Sequence, residues 1–286
     1  MSRIELATPD AALERAAAAA RAAAEHAGVD IRVLDTIPEF EAASRLVSRI
    51  WADDEPKAPA SLLKALSHAD NFVAGAWSGK ELVGISLGFW GVDDGELYLH
   101  SHITGVHPVL QGRAVGFALK QFQRAWTLEH GAPTVRWTAD PLVRMNTYFN
   151  LVKLGATIAA YHDDFYGRID DGLNSGEESD RVEVCWDLAS ERVAAAAERA
   201  TYAAAPPATE GTVILRADST GAPTISSPDG DALLAWIPAD IVQLRESDMR
   251  TANAWRRALR DTVGRSLSDG YHVEAITRDG WFIITR

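Results

Sequence analysis

From Glu96 to Val106, apolar side chains fall mostly on odd positions (Leu97, Leu99, Ile103), while Glu96, Tyr98, His100, His102 and Thr104 take even ones. This period of two predicts a strand with one buried face and one face equipped for chemistry. Pro108 has no amide hydrogen to donate and ends the ladder. Val115, Leu119, Phe122 and Trp126 then recur at four, three and four residues, the spacing of one helical stripe, closed by Gly131 and Pro133. Between strand and helix lies the turn Gln111-Gly112-Arg113-Ala114-Val115-Gly116. Its small residues let a ligand approach the backbone, and the first amides of a helix have no internal partner. That end therefore suits an anion such as a pyrophosphate.

The same patterning divides the rest of the chain. Thr8-Pro9-Asp10 is a helix start, and the alanine-rich stretch after it predicts a helix ending near Gly28. Its alanine face offers little to bury, which predicts an appendage or a subunit contact. Residues 31–34 read as a strand. A helix opened by Pro38 follows, carrying Phe40, Leu46, Val47, Ile50 and Trp51, then an acidic loop with Asp53, Asp54 and Glu55, then a short helix over 62–66. Residues 71–77 and 82–90 form a hairpin about Ser78-Gly79-Lys80. Beyond the central strand and helix come a strand at 134–139, a helix at 144–154 closed by Gly155, and strands at 157–161 and 181–188. The polar segment 163–180 is too long for a tight turn and is a candidate rim over a site. Alanine-rich sequence with Pro206-Pro207 marks a linker over 191–210.

Residues 211–286 have strand, helix and hairpin signals of their own. They predict an α+β segment too small to bury its apolar stripe (Trp255, Leu259, Val263, Leu267) alone, and so docked on the core or on a partner subunit. The expected organisation is thus an N-terminal helix (1–30), an α/β domain (31–190), a linker (191–210) and a C-terminal segment (211–286). Arg250, Arg256, Arg257, Arg260 and Arg265 on its helix are expected to pair with acids or face solvent.

A chain of 286 residues with 47% hydrophobic content can bury more than one core. Its 28 basic and 40 acidic residues give a net charge of −12, which argues against nucleic acid or an anionic membrane as a general partner. A single cysteine, Cys185, excludes an intramolecular disulfide and any multi-cysteine metal site. No apolar run is long enough to span a bilayer and no signal peptide is read, so the expected setting is the cytoplasm. The histidines show no metal-binding spacing, no metal is expected, and no serine-nucleophile elbow is present.

The residues of the central turn, preceded by Val106-His107-Pro108, resemble the signature of the GNAT acyltransferases, Gln/Arg-x-x-Gly-x-Gly/Ala, with Ala114 where glycine is usual. The predicted order of strand, two helices, three strands, helix, strand, helix and two strands also matches that family over 31–188. The resemblance implies an acyl-CoA N-acyltransferase fold with a mixed central sheet, and acetyl-CoA or another acyl-CoA as co-substrate. It also implies direct transfer to a small-molecule or peptide amine. A second copy of the chain is a candidate partner at the alanine-rich helix or the C-terminal segment. The resemblance places the pyrophosphate over Gln111, Gly112, Arg113, Ala114, Val115 and Gly116, and the pantetheine arm along the backbone of Ile103, Thr104 and Val106.

Glu96, His100 and His102 share a face if the strand is regular and are the candidate bases; a β-bulge would change which of them face inward. The family's thiolate-protonating tyrosine falls at Leu151, a departure, so Tyr148 one turn earlier is the candidate acid. Asn146 and Asn150 are candidates for holding CoA or substrate amides, with Asn146 assigned to CoA. A module that binds acyl-CoA without turnover is the alternative that Leu151 keeps open.

Overall fold

The computed structural model describes residues 9–51, 57–167, 178–198 and 211–286. The acidic loop residues Asp53, Asp54 and Glu55, most of the 163–180 segment and Pro206-Pro207 lie outside the described residues. In chain order the elements are α1 (Pro9–Ala27), β1 (Asp30–Val33), α2 (Ile37–Trp51), α3 (Ala60–His68), β2 (Phe72–Ser78), β3 (Glu81–Asp93), β4 (Glu96–Val106), α4 (Val115–Glu129), β5 (Thr134–Ala139), α5 (Arg144–Tyr148), β6 (Thr157–His162), β7 (Arg181–Asp187) and α6 (Glu191–Ala197). After these come β8 (Thr212–Ala217), β9 (Pro223–Ile225), β10 (Ala232–Trp236), α7 (Ile241–Ser247), α8 (Met249–Leu259), α9 (Arg265–Ser268), β11 (His272–Ile276) and β12 (Trp281–Thr285). Among the described residues no helix is long and apolar enough to cross a membrane.

The chain forms two compact units, Met1–Trp137 with Asp187–Glu198, and Thr138–Trp186 with Arg199–Arg286. In the first, β1, β2, β3 and β4 are successive antiparallel neighbours and β5 lies parallel beside β4. The face under α2 and α3 buries Phe40, Leu46, Val47, Leu63, Ile85, Leu87 and Ile103 in one cluster. The face under α4 buries Ala76, Val83, Val115 and Leu119.

Helix α1 is no appendage. Ala12, Ala16, Ala20 and Ala23, spaced four, four and three apart, are all buried, and α1 packs on α4. Small side chains along one stripe let two helix axes come close, so an alanine face gains its contacts through proximity rather than bulk. Arg15 fixes the helix further by pairing with Glu191 at 2.9 Å and Glu198 at 3.0 Å. The stretch expected to open the linker is also ordered. Residues 191–197 form α6, capped by the Ser190 hydroxyl accepting from the Val193 amide, with Val193, Ala194 and Ala197 buried.

In the second unit, β6 pairs antiparallel with β7, and the C-terminal strands form a sheet in the order β11-β12-β10-β8-β9. The helix predicted over 144–154 is a short α5 that widens into a π turn at Phe149–Lys153. Helix α8 likewise runs through a π turn, Arg260–Gly264, into α9, with Trp255, Leu259 and Val263 fully buried. Residues 138–186 and the C-terminal segment are joined by buried charge. Asp140 accepts from Arg245 at 2.6 Å and from Arg256 at 2.8 Å. Asp180 accepts from the Tyr161 hydroxyl at 2.8 Å and from Arg260 Nε at 3.0 Å. The tail arginines at 256 and 260 therefore pair with acids.

Burial alone would raise the Asp140 carboxyl, but Arg256 and then Arg245 outweigh it and hold it at about 2. A depressed carboxyl stabilises the fold above its unfolded value and loses that contribution as pH falls through the folded one. Asp140→Ala strands two buried guanidinium groups and should cost about 3 to 5 kcal/mol in urea unfolding at pH 7. The gap from the parent should narrow as pH drops toward about 2, where the parent carboxyl itself protonates.

Candidate active site

The register between β3 and β4 slips by one residue. Leu87 faces Ile103 but Gly88 faces Ser101, so His102 is the extra residue of a β-bulge. Below the bulge the face toward α2 carries His100, and above it Ile103, which joins the α2 core. Ser101 and Thr104 turn the other way, toward α4, as their partners there show. The sequence pattern grouped Ile103 with Leu97 and Leu99, and Thr104 with the histidines. The bulge exchanges them, because an odd insertion reverses the faces of everything after it.

His100 and His102 stay on one side at the bulge. Their rings are 6.2 Å apart, and Phe89 packs on both, stacked on His100 at 4.9 Å and tilted to His102 at 5.7 Å. Packing around the His102 ring lowers its pKa from the usual 6.5, so at neutral pH it is a ready proton acceptor. Glu96 does not join them. It is exposed beside the β3–β4 turn, four residues from His100, which is ~13 Å along a strand.

On the α4 side lies a chain of polar groups that the sequence pattern missed. The Thr104 hydroxyl is 3.0 Å from that of Ser86, Gln123 Nε2 donates to Ser86 at 3.4 Å, and Gln123 Oε1 accepts from Lys120 Nζ at 2.8 Å. Lys120 also donates to Ser101 Oγ at 3.0 Å and sits 3.9 Å from the centre of the Trp137 ring. Lys120 is wholly buried, and desolvation pushes its pKa down from 10.5 to about 7. The available signal was the spacing of Lys120, Gln123, Arg124 and Thr127, which puts four polar side chains on one stripe of a helix whose middle is buried.

Strand β5 pairs with β4 at Tyr98, Leu99 and His100, against Thr134, Val135 and Arg136. Beyond that point β4 continues through Ser101 to Val106, and among the described residues no strand is registered there on the β5 side. Ser101 and Trp137 are thus the first residues past the point where the two strands part.

After β4, the His107 ring accepts from the Val109 amide and caps a short 3₁₀ turn, Pro108–Leu110. Gln111, Gly112 and Arg113 are exposed. Gly112 has φ +79° and Ala114 φ +64°, the second without glycine's freedom. The Ala118 amide donates to the Ala114 carbonyl at 3.0 Å, so the amides of Val115, Gly116 and Phe117 precede the helical ladder. Beside this open end, a Cβ on Gly116 would meet only Val106 at 3.6 Å.

Tyr148 and Asn146 belong to the second unit, where Asn146 is exposed. The Tyr148 hydroxyl accepts from Arg278 Nε at 3.3 Å. Leu151 is buried in the π turn, and Asn150 is buried beside it. Among the described residues there is no group of three or more His, Cys, Asp or Glu able to hold a metal.

From β1 to β7 the element order is strand, two helices, three strands, helix, strand, helix and two strands, around a bulged β4 and a glycine-containing turn into α4. This is the element order that the resemblance to the GNAT acyltransferases implies. Solved structures similar to it include the ribosomal-protein-S18-alanine N-acetyltransferase of Escherichia coli, at 15% identity and TM-score 0.44 over 56% of this chain and 94% of that one. The aminoglycoside 6'-N-acetyltransferase of Enterococcus faecium is similar at 14% identity and TM-score 0.43, over 56% and 97%. An aminoglycoside 6'-N-acetyltransferase complexed with coenzyme A gives the same figures of identity, TM-score and coverage. No family model and no curated protein sequence matches the chain.

In this GNAT-type turn Ala114 holds a left-handed conformation that costs a residue with a Cβ about 1 to 2 kcal/mol, against about 0.5 to 1 kcal/mol of extra chain entropy for glycine. Ala114→Gly should therefore raise the unfolding free energy by about 0.5 to 1 kcal/mol, measured in denaturant.

Proposed function

We propose that the protein is an acyl-CoA-dependent N-acyltransferase that moves an acyl group, acetyl in the simplest case, directly to a primary amine of a small molecule or peptide. The observation that carries this reading is the turn 111–116, exposed at Gln111 to Arg113, with two left-handed residues leading into the first amides of a 15-residue helix. That arrangement is built for a phosphate ester. Arg113, exposed in the same turn, adds positive charge.

With the pyrophosphate over Gln111 to Gly116, the pantetheine arm follows the open edge of β4 from Val106 back through Thr104 and Ile103, adding itself to the sheet like a short strand. The thioester end then arrives at the bulge. There His102, neutral at neutral pH, takes the proton of the attacking amine, with His100 and Phe89 forming the wall beside it. The amine nitrogen bonds to the thioester carbonyl carbon and the carbon–sulfur bond breaks. Positioning and proton transfer supply the acceleration. A module that binds acyl-CoA without turnover remains the second reading, since buried Leu151 offers no proton where the family has a tyrosine.

Two experiments test the proposal. Gly116→Glu should abolish CoA binding in calorimetry by placing bulk and negative charge at the phosphate site, while Gly116→Ala, for which the structure has room, should bind within a few-fold of the parent. Equal CoA affinity in a folded Gly116→Glu protein would remove the reading.

His102→Ala should lower kcat by about 10²- to 10⁴-fold with CoA affinity nearly intact, using thiol release from acetyl-CoA across a panel of amines. Because its pKa is lowered, the parent should keep its rate down to a pH below 6.5 and lose it as His102 protonates. A parent that binds CoA and releases no thiol with any amine would favour the binding module.

A further inference from the structure

Lys120 is a buried titratable group for which the reading above has no task. It lies on the α4 face of the sheet, where β4 and β5 part, in contact with the first side chain of each strand past that point: Ser101 at 3.0 Å and the Trp137 ring at 3.9 Å. Gln123 takes a second hydrogen of the amine, which fixes the direction in which Nζ points. Ser101 uses a lone pair to accept from Lys120, and its own O–H remains to donate elsewhere.

We propose that Ser101, backed by Lys120 as its positioning residue and proton source, is the group that protonates the departing thiolate of CoA. This rests on the acyl-CoA reading. If the arm runs from Val106 toward Ile103, its sulfur reaches the strand at the bulge, beside Ser101. The bulge then sets the base and the acid on opposite faces of one strand, His102 toward α2 and Ser101 toward α4. This supplies the proton that a buried leucine at position 151 cannot.

The step balances. As the amine nitrogen bonds to the carbonyl carbon, the carbon–sulfur pair leaves on sulfur. The Ser101 hydrogen passes to sulfur and a Lys120 hydrogen passes to Ser101 Oγ, leaving neutral Lys120 and a protonated His102; the cycle closes when His102 releases its proton to water and Lys120 takes one up. A lysine at its ordinary 10.5 would hold its proton against a thiolate, whereas one desolvated to about 7 releases it readily. Burying an ammonium works against folding, so a structural role alone gives no reason for lysine here rather than an apolar side chain of similar length.

The test uses the full chain, CoA as the probe and no acceptor. Thiolate absorbance of bound CoA is followed against pH in the parent, Lys120→Met and Ser101→Ala, with CoA affinity measured by calorimetry below the thiol's titration and unfolding by heat. The expected result is a bound thiol that ionises at least about one pH unit lower in the parent than in either variant, since a group that delivers a proton to sulfur also stabilises the thiolate. CoA affinity should stay within a few-fold, and Lys120→Met should be at least as heat-stable as the parent. The same thiol titration in all three proteins would overturn the inference. So would a Lys120→Met protein that loses heat stability while Ser101→Ala leaves the titration unchanged, since Lys120 would then be structural. A parent that does not bind CoA would remove the acyl-CoA reading and this inference with it, an outcome distinct from normal binding with an unshifted thiol.

Discussion

One extra residue in β4 determines what the rest of the site can be. A regular strand would have put His100, His102 and Thr104 on one face and Leu99, Ser101 and Ile103 on the other. Inserting His102 between the pairs Leu87–Ile103 and Gly88–Ser101 reverses the faces at that point. The two histidines keep a common wall with Phe89, now joined by Ile103 above the α2 core, while Ser101 and Thr104 are delivered together to the polar chain of α4. A bulge also bends and twists its strand, which suits the place where β4 runs on without β5.

Further departures from good folding practice lie on the same unit. Ala114 takes a left-handed backbone at the start of α4, and the same helix carries Lys120, Gln121, Gln123, Arg124 and Thr127 into the interior. Gln121 keeps both side-chain polar atoms buried without a hydrogen-bond partner. By its shift from 10.5 to about 7, burial of Lys120 alone works against folding by on the order of 5 kcal/mol near neutral pH, a cost that fades only as pH rises toward the unfolded value. Unlike the paired charges around Asp140, the buried amine of Lys120 has no acid against it among its hydrogen-bond partners Ser101 and Gln123, and such a cost is expected where a chain gives up stability for chemistry.

The strand–turn–helix unit was legible because its signals are local. Alternation, proline and small turn residues act over a few positions each, and they located β4, the turn and α4. What escaped depended on long-range pairing. The bulge is visible only when β3 is laid against β4, so Ile103 and Thr104 were assigned to the wrong faces and Ser101 was passed over. Lys120 went unnoticed because its partners, Ser101 and Trp137, come from two strands distant from it in sequence. The alanines of α1 seemed to offer nothing, since apolar area was judged without the closeness that small residues permit.

The C-terminal segment also grips α5. The turn Arg278-Asp279-Gly280 between β11 and β12 is gripped from two sides. Arg144 of α5 and Trp236 of β10 both donate to the Asp279 carbonyl, Trp236 at 2.8 Å. A Cβ on Gly280 would meet the Arg144 side chain at 2.6 Å, so this turn needs glycine both for its φ of +97° and for the approach of α5. Arg278 in turn donates to the Tyr148 hydroxyl. A phenol accepting from a guanidinium is held in one orientation, with its own O–H left to donate. The geometry around Tyr148 thus describes a tyrosine positioned by the tail.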